Sequence, residues 1–404
     1  MSTSGGAAAG SVRFVSAPEL DEPMLGADHP FKAVRLPLTR TLLEHAGLLD
    51  PTEIVAPERI DPRLLYRVHD ADYVEAVKLA ARGDPLDDAW TYGLGTADNP
   101  IVPRMDVAAL RIVDATVTAA AVVARGEALR AASLAGGLHH AQRARASGFC
   151  LFNDLAVAIE LLTSRYGLRV AYLDIDAHHG DGVQAAFEER GDVLTISLHE
   201  SGRFLFPGTG FEDEIGRGAG HGTCVNVPVD PGTDDASYLE VFDLVVPSAL
   251  AAFRPDVILL QAGADAHRFD PLAHLELSIA GLIAVYERVM ALADRFSAGR
   301  LVVTGGGGYD PYRTVPRAWA HLWCEMAGRR LPETLPASWH AAWRGRIPTE
   351  LPTTALEPED AGPTDDARRA RIASHNRAVA HRTLAALTPI WAGWRRSAHH
   401  DAPL

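Results

Sequence analysis

Short apolar runs alternate along most of this chain with longer stretches of helical periodicity. Segments 170–175, 193–198, 257–261 and 301–304 are apolar at nearly every position, which predicts strands buried on both faces. Between them, segments such as 182–190 and 277–296 carry apolar residues at helical spacing. Strand–helix–strand repetition with two-sided strands predicts an α/β fold, a parallel sheet covered by helices on each side. One domain over residues 11–345 accommodates the whole pattern, with residues 1–10 expected to form a flexible tail. Residues 346–366 are rich in Pro, Thr, Asp and Glu, and a helix is expected over 366–388, so that 346–404 form a linker and a helix packed on the domain.

Composition narrows the function classes. The 404 residues are 47% hydrophobic and 22% charged, an ordinary balance for a globular enzyme. A formal charge of −14 repels phosphate backbones and argues against direct nucleic-acid binding. Three cysteines, Cys150, Cys224 and Cys324, lie far apart and outside any CxxC pair, so neither a disulfide framework nor a thiolate zinc site is expected. The first ten residues lack a basic flank and an apolar core, and no uninterrupted apolar run reaches the length of a membrane span. A cytoplasmic location is expected, and the sequence says nothing about oligomeric state.

The chemistry gathers at strand ends. Asp174-Ile175-Asp176-Ala177-His178-His179-Gly180-Asp181-Gly182 follows an apolar strand, and alternation in an extended chain brings Asp174, Asp176 and His178 to one side. Two carboxylates and an imidazole held together repel or desolvate one another unless a cation lies between them. A third ligand is expected from the neighbouring strand that ends near Asp265. Asp176, His178 and Asp265 supply one nitrogen and two oxygens with open positions, as a catalytic zinc site requires, and the oxygen-rich set also suits ferrous iron.

Two glycine-rich strand ends, Gly136-Gly137-Leu138-His139-His140 and Gly305-Gly306-Gly307-Gly308-Tyr309, point to the same edge. Asp174 and Asp181 are expected to hold His139 and His140 in defined tautomers, and Tyr309 to donate to an oxyanion. Taken singly, a strand-end aspartate more often caps a helix or turn, and a histidine pair is structural about as often as functional. Their coincidence at one sheet edge favours catalysis. Serine-hydrolase and P-loop chemistry find no GxSxG and no glycine-rich loop followed by Lys and Ser or Thr.

These motifs, with Ser147-Gly148-Phe149-Cys150, Asn153-Asp154, Ser197-Leu198-His199, Phe206-Pro207-Gly208 and Gly263-Ala264-Asp265, resemble the histone deacetylase superfamily over about residues 25–325. His29-Pro30-Phe31-Lys32 and Tyr92-Gly93-Leu94 are similar to its bacterial acetoin utilisation branch. The resemblance implies an arginase-like fold with a mostly parallel eight-stranded sheet and zinc held by Asp176, His178 and Asp265. It implies His140 as general base and acid, His139 as its electrostatic partner, and Tyr309 polarising the acetyl oxygen. Asp98 would bind the substrate backbone at the rim. Gly148, Phe149, Phe206, Gly307 and Leu272 would line the lysine tunnel, and Arg35 would serve an exit channel. A potassium ion would be held by Asp174, Ser197 and backbone oxygens of Asp176, His178 and Leu198, and a second one near Phe187 and Val193.

The implied substrate is an acetylated lysine in a protein, with an acyl-CoA synthetase as the partner suggested by the acetoin-utilisation likeness. The nearest rival is an acetylpolyamine amidohydrolase, and a non-catalytic acyl-lysine reader is the alternative from another class. A two-manganese ureohydrolase is disfavoured because Gly180 stands where its second-metal carboxylate would be. Ala177 and Phe269 depart from the family pattern, and Phe269 is expected to reshape the tunnel rim.

Overall fold

The computed structural model describes residues 11–357 and 365–400; the expected tail 1–10 and part of the expected linker lie outside them. Among the described residues one sheet is built from β1 (Val12–Val15), β2 (Ile54–Val55), β3 (Arg130–Ser133), β4 (Val170–Asp174), β5 (Val193–Glu200), β6 (Cys224–Val229), β7 (Val257–Gln261) and β8 (Leu301–Thr304). Their order in space is β2-β1-β3-β8-β7-β4-β5-β6. Every neighbouring pair is parallel, so the sheet is parallel throughout rather than mostly so.

The two-sided strands work as their composition predicts. On β4, Ala171 and Leu173 face one core, shared with Leu194, Ile196, Ile258 and Leu260 and covered by helices Asp235–Phe253, Ile279–Phe296 and Val315–Ala327. Val170 and Tyr172 face the other, with Val257 and Leu259, under helices Met105–Ala124 and Asp154–Tyr166. Each Leu- or Val-sized side chain taken from water contributes about 1.5–3 kcal/mol, which buries strands that carry no polar face; their register is marked instead by the polar or glycine-rich residues at their carboxyl ends.

That register aligns the strand ends. Ser133 pairs with Thr304, Thr304 with Gln261, Gln261 with Asp174, and Asp174 with Ser197, one row across five strands. Each segment expected to carry chemistry leaves the sheet just beyond this row. Open parallel sheets bind ligands at this carboxyl edge because strand-to-helix loops converge there.

Helices Met105–Ala124 and Asp235–Phe253 are long and apolar enough to cross a membrane by length and composition, but 67% and 50% of their most apolar windows are buried inside this protein. The last helix, Asp366–His400, runs well past the expected end near 388 and continues through Pro389. It covers the outer side of β6, whose edge would otherwise be open for pairing. Its apolar stripe is weak because two of its inward positions are polar. Asn376 Nδ2 donates to Thr233 and Ser237 hydroxyls at 2.8 and 2.9 Å, and Thr383 Oγ1 donates to the Asn226 carbonyl at 2.8 Å.

Candidate active site and metal centre

After Asp174 the chain leaves extended geometry and bends through Asp176–His178. The expected convergence of Asp174 with Asp176 and His178 is therefore corrected: its carboxylate turns away to other partners. Asp176, His178 and Asp265 do converge, with ligand atoms within 4.8 Å of one another and all three residues buried. His178 Nδ1 lies 3.1 Å from Asp176 Oδ1 and 3.0 Å from Asp265 Oδ2.

The far oxygen of each carboxylate is pinned. Asp176 Oδ2 accepts from the Gln261 amide at 2.7 Å and the Gly307 N–H at 2.8 Å, and Asp265 Oδ1 accepts from the Ala177 N–H at 2.9 Å. Such outer partners fix the orientation of metal ligands. Burial, and then the neighbouring Asp176 charge, push the Asp265 pKa up to about 8. Two buried carboxylates at this range are balanced by a cation, and one nitrogen with two oxygens fits a divalent metal. Packing leaves no room for side chains: a Cβ at Gly263 would sit 2.2 Å from Asp176 Oδ2, and one at Gly307 1.9 Å from Asp265 Oδ2.

The adjacent histidines are held differently. His139 Nδ1 donates to Asp174 Oδ2 at 2.8 Å, an oxygen that also accepts from the Tyr172 hydroxyl at 2.5 Å. Burial lowers the His139 pKa, but Asp174 and Asp176 outweigh it and raise it to about 9. His140 Nδ1 pairs with Asp181 Oδ1 at 2.7 Å. Burial and the charge on His139 hold His140 down at about 4 despite Asp181. The two imidazoles lie 4.0 Å apart, ring to ring, and are pushed in opposite directions, His139 toward the protonated form and His140 toward the neutral one.

The walls divide between the two sides of this centre. Phe206 packs its ring 4.9 Å from His140, while Phe149 lies 5.7 Å from Tyr309 and 4.5 Å from His29. Gly148 lies between: at φ +50° a Cβ there would meet His140 Cδ2 at 2.4 Å. Phe206 and Leu272 are 43% and 36% exposed. Asp98 is exposed, and its carbonyl accepts from His29 Nε2 at 3.2 Å, which ties the rim loop to the Phe149 wall.

Tyr309 faces His178 at 6.4 Å between ring centres, and its amide donates to Asp270 Oδ2 at 2.7 Å. Burial, then the Asp265 and Asp176 charges, raise its hydroxyl pKa well above the usual value, so the hydroxyl remains a donor. Arg35 is buried and braces the glycine run, donating from Nη1 to the Gly306 and Gly308 carbonyls at 3.0 Å each and stacking on Phe31. Burial lowers it to about 10, which leaves it charged at neutral pH. Phe269 contacts His267 and the guanidinium groups of Arg268 and Arg313. Among the described residues it makes no ring contact with Phe149, Phe206 or Tyr309, so its expected influence on the rim is not a direct wall contact.

Of the expected potassium ligands, Ser197 Oγ lies 2.8 Å from His199 Nδ1, and the Leu198 carbonyl accepts from Tyr238 at 3.2 Å. His199 Nε2 donates to the Gly210 carbonyl at 2.9 Å, so the Ser197 hydroxyl is the donor to Nδ1 and its lone pairs stay available.

Sequence reasoning missed Gln261, whose signal was an amide ending an otherwise apolar strand. It assigned no role to Asp154, which fixes the histidine loop by accepting from Gly137, Leu138 and Thr116 at 3.0, 2.8 and 2.6 Å. His69 is a similar brace. Its Nε2 accepts from the Asn153 N–H at 3.0 Å, so Nδ1 carries the proton and donates to the Gln142 carbonyl at 2.9 Å.

Burial sets the His69 pKa at about 4. An unfolded histidine, near 6.5, takes up a proton that this fold refuses. Stability from this group is full above about 6.5 and falls as pH drops toward 4, by ~3 kcal/mol in all. Urea midpoints at pH 7.5 and 5 are expected to converge in His69→Gln relative to the native chain; an unchanged difference would exclude His69 as a source of acid sensitivity.

A buried two-carboxylate, one-imidazole cluster beside a histidine paired with Asp181 and a buried tyrosine offers the groups that metal-assisted hydrolysis requires. Comparison with known proteins specifies the class. The histone deacetylase domain profile matches residues 29–326. The acetoin utilization protein AcuC of Bacillus subtilis is 44% identical over 355 residues, 87% of this chain and 91% of that protein. AcuC of Staphylococcus xylosus is 37% identical over 342 residues, 84% of this chain and 89% of its own. The crystal structure of a histone deacetylase homologue from Aquifex aeolicus superposes with a TM-score of 0.78 at 29% identity, covering 91% of this chain and 99% of that one. A histone deacetylase homologue complexed with SAHA gives 0.79 at the same identity and coverage.

This chain belongs to the histone deacetylase family. It is a hydrolytic deacetylase acting on an acetylated substrate, in a metal-dependent family and close to the AcuC proteins.

Proposed function

We propose that the chain is a zinc-dependent protein-lysine deacetylase that hydrolyses the acetyl amide of N6-acetyl-lysine. The observation that carries this reading is the Asp176–His178–Asp265 cluster beside the His140–Asp181 pair, with Phe149 and Phe206 flanking the approach. Zinc bound to that cluster would supply Lewis acidity, and ferrous iron is the competing ion.

The chain's own groups divide the remaining work. Asp181 keeps the His140 Nδ1–H occupied, so Nε2 takes the proton of the attacking water and returns it to the leaving amine. His139, cationic and held by Asp174, disfavours a second positive charge on His140 until the reaction creates negative charge nearby. The Tyr309 hydroxyl donates to the developing oxyanion. Phe149 and Phe206 grip the apolar lysine stem, and Asp98 accepts from the substrate backbone. Acetate and lysine are the products, with Arg35 beside the acetate's way out. Asp174, Ser197 and the carbonyls of Asp176, His178 and Leu198 offer an oxygen-only set suited to potassium.

An AcuC-like deacetylase has an acyl-CoA synthetase as its suggested protein substrate and the cytoplasm as its suggested location. The deciding experiment compares turnover of a fluorogenic acetyl-lysine peptide with that of acetylated polyamines. Peptide preference is expected; polyamine preference would replace the proposed substrate with a small cationic amide, and binding without turnover would make the protein a reader.

A further inference from the structure

The family match ends at residue 326, yet the chain returns to the catalytic edge afterwards. Residues 351–357 form a strap laid against residues 333–335, with Leu335 N–H donating to the Thr353 carbonyl and Ala355 N–H to the Glu333 carbonyl at 2.9 Å each. The strap delivers Glu357, a carboxylate only 6% exposed, to His267, which is completely buried. His267 Nδ1 accepts from the Phe269 N–H at 3.2 Å, so Nε2 carries the proton and donates to Glu357 Oε1. The same carboxylate accepts from the Ile279 N–H through Oε2 at 3.1 Å, at the first turn of helix Ile279–Phe296.

His267 lies at the head of two short paths into the site. Its own loop runs from Asp265 to Asp270, and Asp270 Oδ2 holds the Tyr309 N–H at 2.7 Å. On the other side the Thr314 hydroxyl lies 3.2 Å from His267 Nδ1 and 3.0 Å from Asp310 Oδ2, next to Tyr309 in sequence. The Thr314 hydroxyl has one proton and gives it to Asp310 Oδ2, so it meets His267 Nδ1 by packing; the imidazole braces the loop carrying Asp265 directly and the loop carrying Tyr309 through Asp270 of that same loop. None of its partners belongs to the substrate walls.

We infer that Glu357 is a positioning residue for the deacetylase site, setting Asp265 and Tyr309 through His267; this rests on the roles proposed above for those two residues. The C-terminal strap is then part of the catalytic apparatus rather than an appendage. A group hydrogen-bonded directly to a metal ligand typically changes metal affinity or activity by about 10–100-fold, and Glu357, one contact further out, is expected at the lower end of that range.

The test uses the full-length protein with Glu357→Ala, Glu357→Gln and, for comparison, Asn376→Ala, which removes hydrogen bonds of the C-terminal helix beyond β6. Glu357→Ala is expected to lower kcat about 10-fold, leave KM within about twofold, and weaken zinc affinity against a chromophoric chelator by a similar factor. Glu357→Gln keeps an acceptor for His267 Nε2 and should recover most of both. Asn376→Ala should lower Tm while retaining kcat and zinc affinity. Native kcat and zinc affinity in Glu357→Ala, or an equal kcat loss in Asn376→Ala at an equal drop in Tm, would overturn the inference. Absence of deacetylation by the native protein would instead count against the proposed function, with zinc affinity still deciding the part played by Glu357.

Discussion

Stripping the metal with a chelator is expected to abolish deacetylation, by ~10³-fold or more, and restoring zinc to recover it. The reason lies in the charge balance of the cluster. Asp176 and Asp265 are buried with only His178 between them, and burial already pushes Asp265 to about 8 in the absence of a cation. Without the ion the site loses its electrophile, and Asp265 takes a proton or shifts. Each pinned oxygen keeps the ligands near their places, so reloading needs little rearrangement. The check is peptide turnover against metal content measured on the same samples. Undiminished turnover in protein shown to be metal-free would end the metal-hydrolase reading.

His140→Ala is expected to lower kcat by about 10²–10⁴-fold, the range for loss of a general acid–base, with KM little changed. His140 is the neutral member of the histidine pair and the one whose ring touches Phe206 at 4.9 Å. His139 is pushed toward its protonated form and committed to Asp174, so it is poorly placed to take over the base role. At neutral pH the imidazole is uncharged in both the folded and unfolded chain, so its depressed pKa costs no stability there, and a melting curve serves to show that the variant is folded. Steady-state kinetics with a melting curve checks both parts. Near-native kcat in a folded His140→Ala protein would remove His140 from the mechanism.

Much of this edge was legible because each segment announces itself twice, as an apolar strand and as a polar or glycine-rich exit. β7 and β8 have the bounds read from their apolar runs, and Asp265 follows β7 as alternation and topology suggested. What the pattern hid has physical causes. β6 contains Asn226 and Pro228, and β2 is two residues long, so neither displays a run. Asp174 was expected on one side with Asp176 and His178 because extended alternation was carried past the strand's end, where the chain in fact bends. Glu357 and His267 meet across ninety positions in sequence, and no local periodicity encodes such a pair. The length of the last helix was obscured by Pro389, which reads as a breaker at the expected end yet lies inside the helix.

The space order β8-β7-β4 has a consequence for how the protein comes to life. The metal ligands follow β4 and β7, and the backbone amide that pins Asp176 follows β8, so three segments spread over more than 130 residues must become neighbours before the centre exists. A growing chain cannot complete it until residue 307 has been made and β8 has joined β7. Loop closure over such distances is slow, and an ion that binds only the finished arrangement traps the last step of assembly rather than guiding the first. Metal occupancy then marks the chains that have finished folding and stabilises them against reopening in proportion to free-ion supply. For this protein, scarcity of the ion would shorten the life of the fold as well as slow the reaction.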